Sequence, residues 1–263
     1  MTAEKSDPLG GLLRFLDYVP VHYRKGPWHP LAHFIILGLV IYLLLTAEWA
    51  EETYSVLLKV EDTRTSLIRI GVGAYMWMVT GVLLRSAGWW PLASYTVTSW
   101  NILATRLLCS GAASLTGNGS AIFVASLLRF PSLVGACITV SVWWTLLVPT
   151  IYFLLGKEPE RQKGFVRFNF SPLLLNLHLI NLPIAAIDFI STGAPFTFFD
   201  LWAGFAVALS YILFYLNVLD ANGLHFYIIF TPRSAAVLVS YPLVLALYYG
   251  VFRLANDHLI HWL

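Results

Sequence analysis

The stretch SPLLLNLHLINLPIAAIDFI, Ser171 to Ile190, decides the fold class. Twenty residues at about 1.5 Å per residue make a helix about as long as a bilayer core is thick, ~30 Å. Leu and Ile dominate the segment, yet it also holds His178, Asn181 and Asp188. At about 3.6 residues per turn, positions 178, 181, 185 and 188 share one helix face. That face reads His, Asn, Ala, Asp, while the others are mostly Leu, Ile and Phe. Ionisable groups are expensive in hydrocarbon, so they usually turn into a bundle and serve a function there. The stripe is therefore the expected functional face.

The rest of the chain agrees with a membrane assignment. Of its 263 residues, 58% are hydrophobic and 11% are charged, against about 25% charged in ordinary globular domains. Mean hydropathy is +0.72. Ten Trp and thirteen Tyr suit the aromatic belts of bilayer interfaces. A net charge of +2 is too small to suggest nucleic acid as a partner, and membrane lipids are the expected one. Cys109 and Cys137 both fall in apolar runs and read as reduced, packed thiols. No Rossmann glycine motif, P-loop, Cys-x-x-Cys or His-Glu-x-x-His occurs, so neither a cofactor nor a metal is expected.

The pattern predicts an all-α polytopic bundle of about seven spans: Leu31–Ala47, Leu67–Ser86, Tyr95–Leu115, Leu133–Leu155, Pro172–Ile190, Leu201–Leu219 and Ala235–Leu254. Pro149, Pro183 and Pro242 lie inside spans, where neighbouring groups can serve the freed carbonyls. Residues 1–30 read as a cytosolic or interfacial leader, amphipathic over LGGLLRFLDYVPVHYRK, and residues 31–263 as one domain. No short apolar region with a small-residue cleavage site precedes Phe34, so the first span is expected to stay as an anchor. With the N-terminus inside, Lys5, Arg14, Arg24, Lys25, Arg85, Lys157, Arg161, Lys163, Arg167 and Arg233 face the cytosol. Lys59, Arg64, Arg129 and Arg253 face the other side, which fits the positive-inside bias. The sequon Asn118-Gly119-Ser120 then faces the lumen.

Several intramembrane polar groups are candidates for chemistry. His178 suits a general base, proton relay or ligand, against a plain interhelical hydrogen bond. Asp188 stands about 15 Å along the helix from His178, so the two cannot meet within it. A central Arg106 needs a partner, either Asp188 or a substrate carboxylate. Arg69, nearer a span end, is expected to snorkel. Thr105 is a nucleophile only beside a base, and most membrane threonines bond back to their own helix. Thr98, Thr105 and Cys109 share a face, which makes Cys109 a second nucleophile candidate. Asn217 and Tyr211 are expected to face the interior, with interhelical hydrogen bonding as the default. The pairs His29/His33 and His258/His261 lack further ligands for a metal.

Taken in order, four segments resemble the androgen-induced-gene-like and rolling-stone-like multipass membrane proteins. They are TSWNILATRLL from Thr98, ITVSVWWTLLVP, NLHLINLPIAAID with His178, Pro183 and Asp188, and SYILFYLNVLDANGLHFYIIF from Ser210. The resemblance runs from about Leu67 to the end of the chain. It implies a lipid hydrolase acting on fatty-acyl esters of hydroxy fatty acids, with an intramembrane threonine and histidine. The histidine carries over to His178. The threonine position falls on Ala104, with Thr105 next to it, and the family's Tyr-Pro is Tyr227-Ile228. The expected site is thus His178 and Thr105 for catalysis, with Arg106, Asn181, Asp188 and Asn217 holding a fatty-acyl substrate. The alternatives are a lipid-binding or signalling protein without catalysis, or a small transporter. The expected location is the endoplasmic reticulum or another endomembrane, with the plasma membrane as the alternative.

Overall fold

The structure, a computed structural model, describes residues 27–54, 62–156, 159–222, 231–233, 235 and 237–259. The leader from Leu9 to Lys25, the charged residues Lys59 and Lys157, and the Tyr227-Ile228 pair lie outside the described residues. Every described element is helical. In chain order these are α1 (Pro30–Leu45), α2 (Ala47–Thr53), α3 (Thr63–Ala87), α4 (Tyr95–Thr116), α5 (Gly119–Leu127) and α6 (Arg129–Val142). Then come α7 (Val148–Leu154), α8 (Pro159–Asn169), α9 (Pro172–Leu175), α10 (Asn181–Thr192), α11 (Phe198–Phe214) and α12 (Val237–Asp257). Among the described residues, five helical stretches are long and apolar enough to cross a membrane, and α1 with α2 would make a sixth as a broken span. The chain is an all-α multipass membrane protein.

Two sequence expectations change in detail. The fourth span begins earlier, as α5 to α7 form a stretch of 35 residues, Gly119–Phe153. Arg129 is therefore not a loop charge: it is buried in that stretch at 3% exposure. The third span, α4, is 22 residues long but does not match the others in apolarity. It holds Thr96, Thr98, Ser99, Asn101, Thr105, Arg106 and Ser110, and protein rather than lipid encloses much of it, with Ser99, Trp100, Ala104 and Arg106 all buried. Neighbouring helices serve Asn101 and Arg106 as hydrocarbon could not, with Thr80 donating to Asn101 and Asp188 accepting from Arg106.

The described residues divide into two compact units. One comprises residues up to Leu45 together with Ala208–Ala246. Ala32, Val237 and Tyr241 form its buried centre, with Ile35 and Ile36 against them. Asp220 accepts from the Trp28 indole at 2.9 Å and pairs with Arg233 at 2.5 Å.

The other unit, Thr46–Val207 with Leu247–Leu263, carries the His178 stripe. Helices α3 and α4 pack antiparallel and very closely. A Cβ on Gly73 would come 2.9 Å from the Ala104 carbonyl, and one on Gly111 would come 2.6 Å from the Ser66 carbonyl. Only glycine permits such backbone contact, as is usual at membrane helix interfaces. Trp100, fully buried, donates its indole N–H to the Met76 carbonyl at 2.8 Å and locks the same pair.

Candidate functional site

Two prolines shape the site. Pro183 and Pro149 cannot donate a backbone N–H, and each ring presses on the preceding turn. Each is preceded by a widened π turn, Asn176–Ile180 and Trp143–Leu147 respectively. Such turns are rare and recur at functional sites. Here the two turns meet. The Trp143 ring stacks on the His178 imidazole with centroids 3.8 Å apart and an 18° interplanar angle. Trp144 donates its indole N–H to the His178 carbonyl at 2.7 Å.

The stripe faces inward: His178, Asn181, Ala185 and Asp188 are all buried. His178 Nδ1 lies 3.2 Å from the Leu174 carbonyl. A carbonyl only accepts, so Nδ1 is assigned the proton and Nε2 keeps its lone pair. Among the described residues no carboxylate orients this ring; the Leu174 backbone carbonyl does.

The charged end of the stripe is closed on itself. Arg106 Nε donates to Asp188 Oδ2 at 2.5 Å, and its other nitrogens reach the Ala125 carbonyl and Thr192 Oγ1. Asp188 is thus the partner of Arg106, and the guanidinium is not held out towards a substrate carboxylate or an oxyanion. Arg69 does not snorkel. It is 7% exposed, lies 3.3 Å from Asp188 Oδ1, and donates to Ser110 and Ser191 at 2.8 Å each. Asp188, Ser110 and Ser191 together give the guanidinium partners inside the bundle, so it turns inward although its stem stands near the span end. Arg129 pairs with Asp200 at 3.6 Å and donates to the Ala194 and Pro195 carbonyls.

These contacts set the helix register. Ser99 lies on Gly135 and Arg106 on Ala125, so α4 runs antiparallel to the α5–α6 stretch. Trp143 meets His178 and Arg129 meets Ala194, so α6 runs antiparallel to α10. Hence α4 and α10 run the same way, joined at Arg106 and Asp188. Counting back from that pair, His178 is ten residues away and Thr105 only one. The two are separated by about nine residues, roughly 14 Å along the axis. The structure does not bring Thr105 to His178, and Cys109 lies further still. By the same count, the Ser and Thr hydroxyls of α4 nearest the level of His178 are those at its N-terminal end, Thr96, Thr98 and Ser99. Thr98 Oγ1 donates to the Ser94 carbonyl at 3.0 Å, whereas buried Ser99 Oγ has no hydrogen-bond partner.

Asn217 belongs to the other compact unit. It is exposed, and its amide donates to the Leu213 carbonyl of its own helix at 2.7 Å. It lies within the π turn Tyr215–Leu219. Tyr211 is half-buried and rests 6.2 Å from the Phe214 ring. Among the described residues, no group of three His, Cys, Asp or Glu side chains converges as a metal site would require.

Sequence reasoning missed Trp143, the ring that fixes the plane of His178. The double Trp followed by a proline, WWTLLVP, was the available signal. No family model, curated protein or solved structure matches the chain.

Proposed function

We propose that this multipass membrane protein hydrolyses a fatty-acyl ester within the bilayer, with His178 as general base. The observation that carries the reading is the imidazole itself: buried, stacked on Trp143, with Nδ1 held by the Leu174 carbonyl and Nε2 left with its lone pair. The resemblance to the androgen-induced-gene-like and rolling-stone-like proteins supports the same chemistry. The nucleophile of this reading is a hydroxyl at the N-terminal end of α4, Thr96, Thr98 or Ser99, which the register count supports over Thr105. That hydroxyl oxygen attacks the acyl carbon as His178 Nε2 takes its proton. The carbonyl electron pair shifts to oxygen and returns as the alcohol leaves, protonated by His178. Water then repeats the sequence on the acyl-enzyme, releases the fatty acid and restores the hydroxyl.

The test is fluorophosphonate labelling of the folded protein in detergent, with Thr96→Ala, Thr98→Ala, Ser99→Ala, Thr105→Ala and His178→Ala alongside. The expected result is labelling of the wild type that is lost in His178→Ala and in one of the Thr96, Thr98 and Ser99 variants but kept in Thr105→Ala. Labelling that survives His178→Ala sinks the reading.

One observation favours a second reading, lipid binding without hydrolysis. Among the described residues no hydroxyl is hydrogen-bonded to His178. A folded wild type that binds acyl lipid but takes no label decides for it.

A further inference from the structure

Beside His178 lies a group of buried polar atoms that the helices leave unsatisfied. Asn181 is 1% exposed, and neither its Oδ1 nor its Nδ2 has a hydrogen-bond partner. Thr139 Oγ1 and Ser99 Oγ are likewise buried and without a partner. Buried polar groups are nearly always paired, because an unmet one costs about 1–3 kcal/mol. Four such atoms on three touching helices therefore call for a reason.

Their placement gives one. Because α6 and α10 are antiparallel, Thr139 and Asn181 leave the Trp143–His178 contact in the same direction, by four and three residues. At about 1.5 Å per residue they stand within about 2 Å of the same level. On α6, Thr139 is one turn from Gly135, which lies over Ser99, and one turn from Trp143, which lies over His178. It is therefore on the face that α6 turns towards both neighbours. The fixed charges are elsewhere. Asp188 lies seven residues beyond Asn181, and Arg129 ten residues before Thr139, each pair being about 10 to 15 Å apart. What this level offers is uncharged: N–H from Asn181, O–H from Thr139, and an imidazole lone pair one turn away.

We propose that Asn181 Nδ2 and the Thr139 hydroxyl are the donors that receive the carbonyl oxygen of an uncharged acyl lipid. The inference rests on the hydrolase reading for the reaction but not for the binding. It gives Asn181 and Thr139 the oxyanion role that Arg106, committed to Asp188, does not fill. The ligand class follows from the donors. An ester, ketone or amide carbonyl matches two neutral donors, whereas a phosphate or free carboxylate brings a charge that nothing at this level balances.

Two measurements on the full chain in detergent or nanodiscs separate the two ideas. The first is binding of a long-chain methyl ketone, against an alkane of equal length and a free fatty acid, to the wild type, Asn181→Leu and Thr139→Val. The expected result is a wild type that prefers the ketone to both competitors, a preference lost in Asn181→Leu and weakened in Thr139→Val. Thermal unfolding is read in parallel. Removing an unsatisfied amide should leave Asn181→Leu at least as stable as the wild type, whereas a merely structural Asn would lower its Tm. Equal ketone binding by the wild type and Asn181→Leu overturns the proposal, as does a preference for the fatty acid. The second measurement is hydrolysis of a 4-nitrophenyl acyl ester. A loss of about 10²–10³ in kcat for Asn181→Leu, with KM little changed, is the expected signature of a lost oxyanion donor. An unchanged kcat in a wild type that does hydrolyse overturns the oxyanion role. A wild type that binds the ketone through Asn181 but does not hydrolyse the ester refutes the hydrolase reading and leaves this binding site standing.

Discussion

Replacing Asp188 with asparagine removes one negative charge and almost no volume, so its effect reports the ionic lock of α3, α4 and α10. The carboxylate serves Arg106 at 2.5 Å and Arg69 at 3.3 Å, and the Arg106 and Asp188 side chains are 4% and 3% exposed. At a charge separation near 4 Å and an effective dielectric constant of about 20, each pair is worth about 4 kcal/mol of attraction. Desolvation has consumed much of that, and the amide oxygen of asparagine still accepts one hydrogen bond. The net loss is what buried pairs show when one partner goes, about 3–5 kcal/mol. The Arg106→Met change removes the opposite charge and leaves Asp188 with Arg69, so its loss should be smaller. In Asp188→Asn combined with Arg106→Met, no Arg106 guanidinium is left stranded. The double variant should therefore fall short of the sum of the singles by about 2 kcal/mol or more. The assay is reversible SDS unfolding in mixed micelles, followed by tryptophan fluorescence. A loss under about 1 kcal/mol for Asp188→Asn, together with additivity in the double variant, would refute the lock.

Three further outcomes follow from the packing. Gly111→Val should cost about 1–3 kcal/mol in the same unfolding assay, because its Cβ meets the Ser66 carbonyl at 2.6 Å and backbone cannot step aside; a neutral effect would mean that α3 and α4 do not touch there. Asp62 caps α3 from outside the span, accepting from Thr65 N–H at 2.6 Å, and that bond together with the Thr65 hydroxyl holds its carboxyl below the usual aspartate range. Its folded pKa is depressed, so its contribution is fully present above the ordinary aspartate value near 3.9 and fades as pH falls through the lower folded value. Asp62→Ala should therefore reduce stability at neutral pH and match the wild type in strong acid, read as unfolding midpoints across pH; a deficit that persists below both pKa values contradicts the cap. Asn217→Leu should change stability by less than about 0.5 kcal/mol and leave any acyl-ester turnover intact, since the side chain is exposed and bonded to its own helix; a large loss of turnover would return it to the site.

The membrane class, most of the spans and the inward stripe on Ser171–Ile190 were legible because they depend on composition and on a 3.6-residue repeat. His178, Asn181, Ala185 and Asp188 are buried as that repeat requires. Asn217 was expected to face the interior on residue type alone, and its side chain is exposed and bonded to its own helix. Arg129 was misread as a loop charge because nothing local announces that α5 and α6 continue one stretch, with Asp200 waiting 71 positions later. The chemistry of α4 was legible only as a list of hydroxyls.

By itself, then, the sequence determined that this chain lives in a bilayer, how far each helix can reach, and that His178, Arg106 and Asp188 must find company there. Those conclusions follow from what hydrocarbon forbids, and that rule acts on each segment separately. Only the tertiary structure decided which groups meet: Arg106 with Asp188, and Trp143 with His178. Register between helices is a property of pairs of surfaces, set here by Gly73 and Gly111 against backbone, by the Arg106 ion pair and by two proline-linked π turns. Sliding one helix by two turns changes none of the local patterns. It changes every contact on which a nucleophile, a base and an oxyanion donor depend.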